Sequence, residues 1–475
     1  CACRASRLSH LQLSRKWTAK QAKSFSEIKV ISAFAHIINK ILLTEERLMK
    51  LAKKILAVLL AVVLVGAVFA GCSSNSSKDN SKDNSASDSA KKSDLTVGFI
   101  FLHDENSTYD KNFITAAEEA CKKEGVKILK KTNIPEGQEC YDAAAELVDE
   151  GADIVFADSF GHQDYLLQAA KKFKDVQFLH ATGTKAHTEK LSNYHNAFAS
   201  IYEGRYLAGV AAGMKLNEMI ASKKITADKA KMGYVGAFTY AEVISGYTSF
   251  YLGAKSVCPS VTMDVTFTGS WYDETAEKEA ANKLIKNGCV LISQHADSMG
   301  APTACEAAGV PDVSYNGSTV SACPNTFIVS SRIDWAPYFE HAIECVKEGK
   351  DIEYDWTGTL STGSVVLTDV NEKAAAKGTK EKLAEVTKNL EAGKVHVFDT
   401  STFTVTIDQK AKKNLNAKVD AQGHLTSYMA DVDTDEAYKG DTEAVSDGYF
   451  HESESRSAPY FDIQIDGITL LDTKL

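Results

Sequence analysis

Two doubly wound α/β lobes followed by a β-rich C-terminal extension are the fold the sequence predicts, and three observations predict it. From residue 95 onward, short continuous apolar runs alternate with stretches of amphipathic, helix-period sequence. The runs lack the apolar-polar alternation of a half-solvated sheet, so both faces of the sheet must be covered, as in parallel sheets flanked by helices. The alternation is interrupted at residues 202–216 by one long helical stretch and then restarts, which gives two series and hence two lobes. The chain beyond residue 94 is also far longer than a typical domain of about 100–150 residues.

In the first series LTVGFIF (95–101) is a β-rich run, and a helical stretch at 113–123 leads to VKIL. Helical residues 141–148 then precede ADIVFAD (152–158), and 163–172 precede VQFLHA (176–181). The second series runs through KMGYVGAF (231–238), a helix at 242–256, VTMDVTFTG (261–269), a helix at 273–287, CVLIS (289–293), a short helix from Thr303 and VPDVSYN (310–316). Asp273 stands where a helix N-cap is expected. In the tail, FDTSTFTV (398–405) and SAPYFDIQIDGITLL (457–471) read as β-hairpins. The expected division is 95–201 for the first lobe, 202–334 mainly for the second, and 335–475 for a return to the first lobe plus the extension.

Sixteen apolar residues from Ile55 to Ala70 follow Lys50, Lys53 and Lys54 and run into Gly71 and Cys72. A membrane-spanning helix needs about 20 apolar residues, whereas a basic start, a shorter apolar core and small residues before a cut describe a secretory signal. Cys72 falls where a bacterial lipoprotein signal places the cysteine that receives lipid. Residues 49–71 are therefore expected to be a lipoprotein signal peptide, and residues 1–48, ahead of Met49, a translated leader. Residues 73–94 contain no large apolar side chain and read as a disordered tether. The expected location is the extracytoplasmic face of a bacterial membrane, held by the lipid.

The formal net charge is −10, and 12 of the 53 Lys and Arg but 3 of the 63 Asp and Glu lie in the first 71 residues, so the remainder is more acidic still. Such a chain repels phosphate backbones and anionic lipid, which excludes nucleic acid as a partner. Seven cysteines follow Cys72, an odd number without CxxC spacing; Cys121 with Cys140 and Cys305 with Cys323 are the possible disulfides, against a reading of buried small hydrophobes. No GxxxxGK[ST], GxGxxG after a strand, HExxH or GxSxG occurs and the histidines are scattered, so no cofactor, metal or catalytic group is expected. DVDTDEAYKGDTE (431–443) opens like a calcium loop, but Glu436 replaces the glycine and Thr442 the bidentate glutamate, leaving a solvated acidic loop.

Ligands of open α/β sheets bind beyond the carboxyl ends of the strands. Those positions carry HDENSTYDKNF after the first strand, DSFGH with Phe160 after the third, SWYDE with Trp271 and Tyr272, QHADS with His295 and Asp297, and NGS beginning at Asn316. Asp334-Trp335 follows a later run and is open to a core or a site reading. Aromatics with uncharged or acidic polar groups describe a cleft for a small, flat, hydrogen-bonding ligand.

DKNF (110–113), EGRYLAG (203–209), KMGYVGAF (231–238), GSWYDETAEKEAA (269–281) and SQHADS (293–298) together resemble the basic membrane protein (BMP) family of substrate-binding lipoproteins. The resemblance implies the type I periplasmic-binding-protein fold, two Rossmann-like lobes joined by a hinge, in a monomer that delivers a purine nucleobase or nucleoside to an ABC permease. It implies that Phe113 and Trp271 cover the two ring faces and that Asp110 accepts from a base N–H. It places Asn316 where relatives carry an aspartate for ribose hydroxyls, a departure from the family pattern, associates SQHADS with its His295 and Asp297 with free nucleobase, adenine in particular, and gives Arg332 a part in closing the cleft. Phe160, Tyr272 and Trp335 complete the candidate set. The alternatives are a receptor of the same fold for a sugar or amino acid, and a nucleoside-hydrolysing enzyme using the carboxylates of Asp104, Glu105 and Asp110.

Overall fold

The computed structural model describes residues 94–432 and 442–471. The leader, the signal run, Cys72 and the tether as far as residue 93 lie outside the described residues, as do residues 433–441 of the acidic loop. The chain runs β1 (Thr96–Ile100), α1 (Thr108–Glu124), β2 (Lys127–Lys131), α2 (Gln138–Asp149), β3 (Ile154–Ala157), α3 (Gln163–Lys172), β4 (Gln177–Ala181), α4 (Ala186–Glu189) and β5 (Tyr194–Ala199). It continues through α5 (Ile201–Ala221), β6 (Lys231–Gly236), α6 (Ala241–Val257), β7 (Thr262–Phe267), α7 (Glu274–Lys286), β8 (Leu291–His295), α8 (Gly300–Ala308), β9 (Asp312–Tyr315), β10 (Phe327–Ile333), α9 (Ala336–Glu348), β11 (Asp355–Gly358) and β12 (Val365–Leu367).

The first sheet has the order β2-β1-β3-β4-β5-β11, with every pair parallel. The second has β7-β6-β8-β9-β10, closed at one edge by antiparallel β12 and at the other by the strand Ile468–Leu470, parallel to β7. Period-2 geometry explains the continuous apolar strands. In β1 and β3, Phe99 and Phe156 face the core beneath α1 and α9, while Ile100 and Val155 face the core beneath α2 and α3. Ser107 caps α1 by accepting from the Asp110 N–H at 3.2 Å, and Gly125 ends it at φ 65°, the left-handed conformation glycine adopts without cost.

Strand order reverses between β1 and β3 in one sheet and between β6 and β8 in the other, and each reversal opens a crevice at the strand ends. Three connections cross between the sheets: β5 to α5, β10 to α9 and β11 to β12. They are stitched together where the Ser200 N–H donates to the Gly358 carbonyl at 2.8 Å and the Asp334 N–H to the Ser364 carbonyl at 2.7 Å.

The tail differs from the sequence expectation. Of the second expected hairpin only Ile468–Leu470 forms a strand, and residues 398–405 hold a single helical turn, Thr400–Thr402. The apolar pattern there reflects packing: Phe398 stacks on Phe461 at 4.2 Å, and both join Phe403, Ile463 and Ile465 in the core of the second lobe. An extended chain docked on a core shows the same spacing as a strand, so the pattern cannot separate the two. The extension is β-rich in other places than expected: it opens with α10 (Thr379–Glu391), and its strands are Ala417–Val419, Leu425–Ala430, Thr442–Glu443, Val445–Ser446, Tyr449–Phe450 and Ile468–Leu470. The seven described cysteines are free thiols. Cys121 and Cys140 belong to cores on opposite faces of the first sheet, which separates that expected pair, and Cys305 and Cys323 are likewise unbridged.

Burial pushes the carboxyls of Glu203, Glu277 and Asp312 up to about 7. Between the ordinary carboxyl range and pH 7 the folded chain then holds protons that the unfolded chain has lost, so stability falls as pH rises through that window. Buried His162, His180, His195 and His295, whose pKa values burial lowers, act in the opposite sense, so the carboxyls are read by difference. Relative to the parent, Glu277→Gln is expected to lose less melting temperature between pH 5 and pH 8, and an identical pH profile would contradict the assignment.

Candidate ligand-binding cleft

Between the strand ends of the two lobes lies a narrow cavity, at the place where open α/β sheets hold small-molecule ligands. The first lobe contributes Tyr109 and Asp110 from the start of α1, Phe160 after β3 and Thr182 after β4. The second contributes Trp271 after β7, Glu242 from the first turn of α6, and His295, Asp297 and Tyr315 from the ends of β8 and β9. The lobes meet over it. The Thr108 N–H and hydroxyl both donate to the Asp297 carbonyl, at 3.0 and 3.1 Å. Phe160 faces Tyr240 at 5.3 Å between ring centres, and His103 faces Tyr272 at 5.4 Å.

The polar groups differ in protonation. Burial alone would raise the Asp110 carboxyl, but hydrogen bonds from His103 and Ser107 outweigh it and leave Asp110 below its usual value. Its Oδ1 accepts from the His103 N–H at 2.7 Å. Burial, then the charge of Asp110, push neighbouring Asp158 well above the carboxylate range, so Asp158 keeps its proton. Tyr109 donates its hydroxyl to the Asp158 carbonyl at 2.8 Å, which fixes the ring in the cleft. Across the cavity, burial and the charges of Asp110, Glu277 and Glu242 push Asp297 well above the carboxylate range; its Oδ1 accepts from Asn316 at 3.3 Å. His295 is held neutral chiefly by burial, between the Tyr234 hydroxyl and Glu242, each at 3.4 Å. Gly246 makes room for it, since a Cβ there would come within 2.5 Å of His295 Nδ1. Beneath lies fully buried Arg205, whose guanidinium donates to Ser293 Oγ at 2.7 Å and to the Tyr234 hydroxyl at 3.1 Å. The cavity thus offers the carboxyl groups of Asp110 and Glu242, the protonated carboxyl of Asp297, a neutral imidazole and aromatic faces from both lobes, a set suited to a flat ring that donates N–H hydrogen bonds.

Residues 100–395 match the family described as Bmp, the PnrA-like ABC transporter substrate-binding proteins. The chain belongs to the Bmp family. Among relatives, a purine-binding protein of Brucella abortus is 33% identical over 217 residues, covering 46% of this chain and 58% of the relative. A putative ABC transporter glucose-binding protein of Haloferax volcanii is 30% identical over 276 residues, covering 58% and 66%. The chain therefore spans less than two thirds of the length of either relative. An ABC transporter solute-binding protein from Conexibacter woesei superposes with a TM-score of 0.53 at 20% identity, over 64% of this chain and 98% of that one, which shows the type I two-lobed fold.

Within this Bmp protein the sequence-predicted residues divide into three groups. Asp110, Phe160, Trp271, His295 and Asp297 line the cavity together. Asn316 and Arg332 line a separate outer groove on the lobe boundary, where Arg332 reaches Asn112 and Asp334, each at 3.3 Å; Tyr272 packs on His103. Phe113 and Trp335 lie elsewhere, buried in the first lobe and stacked on each other at 4.3 Å. The first-lobe aromatic at the cavity is Tyr109, one helical turn before Phe113 and at 4.8 Å from it. Asp104 accepts from the Asn106 N–H at 3.0 Å and Glu105 lines the outer groove, so the carboxylates expected to cluster with Asp110 are dispersed. Glu242, Thr182 and Tyr315 escaped the sequence reading. Their signal was position alone, at the mouths of elements already identified.

Proposed function

We propose that this Bmp protein captures a purine, an adenine-like nucleobase or nucleoside, by closing its two lobes around it, and delivers it to an ABC importer permease from the extracytoplasmic side, anchored through lipid on Cys72. The observation that carries the reading is that Tyr109 and Trp271, one aromatic from each lobe, line a cavity whose polar groups include Asp110, Glu242, His295 and Asp297. Closure brings the two rings together only when a ligand fills the space between them. The purine-binding Brucella relative supports the ligand class.

A sugar is the second reading, favoured by the name of the Haloferax relative. A thermal-shift screen of purines, nucleosides, sugars and amino acids separates them. Ligand at about a hundredfold over its Kd adds about 2.7 kcal/mol of stability. A shift with adenine or adenosine is the expected result; a shift with glucose and with no purine would replace the proposal by the second reading.

A further inference from the structure

Arg205 lies fully buried on α5, beneath the ligand cavity, and has no acid among its hydrogen-bond partners in the described residues. Its guanidinium donates to the carbonyls of Ser314 and Gln294, at 3.2 and 3.4 Å, and to the hydroxyls of Ser331, Ser293 and Tyr234, at 3.4, 2.7 and 3.1 Å. The rings of Tyr234, Phe250 and Tyr315 lie against it, with centres 5.4, 5.0 and 5.1 Å from the guanidinium carbon. A buried cation held by neutral groups is costly, and one of the groups it holds leads to the cavity wall. We propose that Arg205 and Tyr234 are positioning residues that fix His295 as the tautomer with its proton on Nε2, aim that proton at Glu242, and so make this wall of the cavity accept N–H groups of the ligand. The ligand part of the inference rests on the purine reading of the cavity.

The direction of each hydrogen bond follows from what each group can donate. A guanidinium only donates, so the Tyr234 oxygen accepts from Arg205 and its own proton turns to His295 Nδ1, 3.4 Å away. Nδ1 then accepts, and in a neutral imidazole the remaining proton sits on Nε2. Nε2 faces Glu242 Oε1 at 3.4 Å. The opposite tautomer would set an imidazole lone pair against a carboxyl oxygen, acceptor against acceptor, where His295 is buried from water that could separate them. The packing holds the ring in this orientation: Tyr315 of β9 covers it at 4.4 Å between ring centres, and Gly246 of α6 leaves the Nδ1 edge open to Tyr234. Glu242 and His295 both line the cavity. With Oε1 engaged by His295, Oε2 of Glu242 is left to accept from the ligand. A 6-amino purine offers an N–H where a 6-oxo purine offers an oxygen, so an accepting wall favours adenine over hypoxanthine.

Long-range proton–nitrogen-15 spectra of the protein at pH 7 read the tautomer, with His295→Gln identifying the signals, and calorimetric titration with adenine and hypoxanthine reads the wall. In the parent protein the expected result is His295 protonated on Nε2 alone, and adenine bound about tenfold or more tighter than hypoxanthine. Tyr234→Phe keeps the ring against Arg205 and removes only the hydroxyl. It is expected to move the Nδ1 resonance, as a nitrogen losing its donor does, and to reduce the adenine preference by freeing the imidazole to turn from Glu242. Glu242→Gln, which sets a donor beside the acceptor, is expected to abolish the preference. A proton on Nδ1 in the parent protein, or an adenine preference unchanged in Tyr234→Phe, overturns the inference and leaves the purine reading standing. No heat from either base overturns the purine reading, and the tautomer in the parent with the Nδ1 resonance in Tyr234→Phe then decides by itself whether the positioning chain exists.

Discussion

Alanine at Trp271 is expected to raise the Kd for the purine roughly 5- to 150-fold, a loss of about 1–3 kcal/mol, with little change in melting temperature. Trp271 is a half-buried cleft residue whose ring meets Phe238 at 5.1 Å and Tyr240 at 6.0 Å, so removing it empties one face of the ligand site more than it disturbs a core. Tyr109→Ala should weaken binding by a similar factor from the other lobe. Phe113→Ala should behave in the opposite way. Phe113 is 0% exposed and wedged between Trp335 and Phe156, and such Phe-to-Ala truncations cost about 3–5 kcal/mol of stability. Calorimetry and thermal melts on the three variants separate the roles. Loss of binding in Phe113→Ala with an unchanged melt would return that residue to the ligand site and remove Tyr109 from it.

Gly209→Ala is expected to cost about 3 kcal/mol or more of stability, at the upper end of overpacking penalties. Gly209 lies where α5 crosses α6, and a Cβ there would come within 2.0 Å of the Phe250 carbonyl oxygen and 3.0 Å of the Ala254 nitrogen. Both are backbone atoms and cannot rotate away. Gly253 meets the Tyr206 carbonyl in the reciprocal way, at 2.0 Å. Prying the helices apart would also move Arg205, which hangs from α5 beneath the cleft and holds Ser293 and Tyr234 under His295. A markedly lower urea midpoint is the expected reading; an unchanged midpoint would mean that the two helices do not pack this closely.

Much of this architecture is legible in the sequence because parallel strands and their covering helices leave different periods. The helix at Gln163–Lys172 begins and ends where its apolar spacing does, and VTMDVTFTG and CVLIS became β7 and β8 because only strands buried on both faces sustain runs of that kind. The strand-mouth rule brought Asp110, Phe160, Trp271, His295 and Asp297 to one cavity without any contact information. What it could not resolve was which turn of α1 meets the cleft. Tyr109 and Phe113 are four residues apart on one helical face, and only the three-dimensional approach of α9, which brings Trp335 against Phe113, decides that Phe113 belongs to the core. Thr182 and Glu242 were invisible for another reason: a threonine after a strand and a glutamate at a helix start are what ordinary turns and N-termini also carry. The extension misled because Phe398, Phe461 and Ile463 alternate as strand residues do while docking on the second lobe.

A calorimetric titration of the protein with adenine and adenosine decides whether the interlobe cavity holds a purine. One ligand per chain, with saturable heat from at least one of the two that is strongly diminished in Trp271→Ala, is the result this structure predicts. No heat from any purine, with saturable binding of glucose instead, would contradict it.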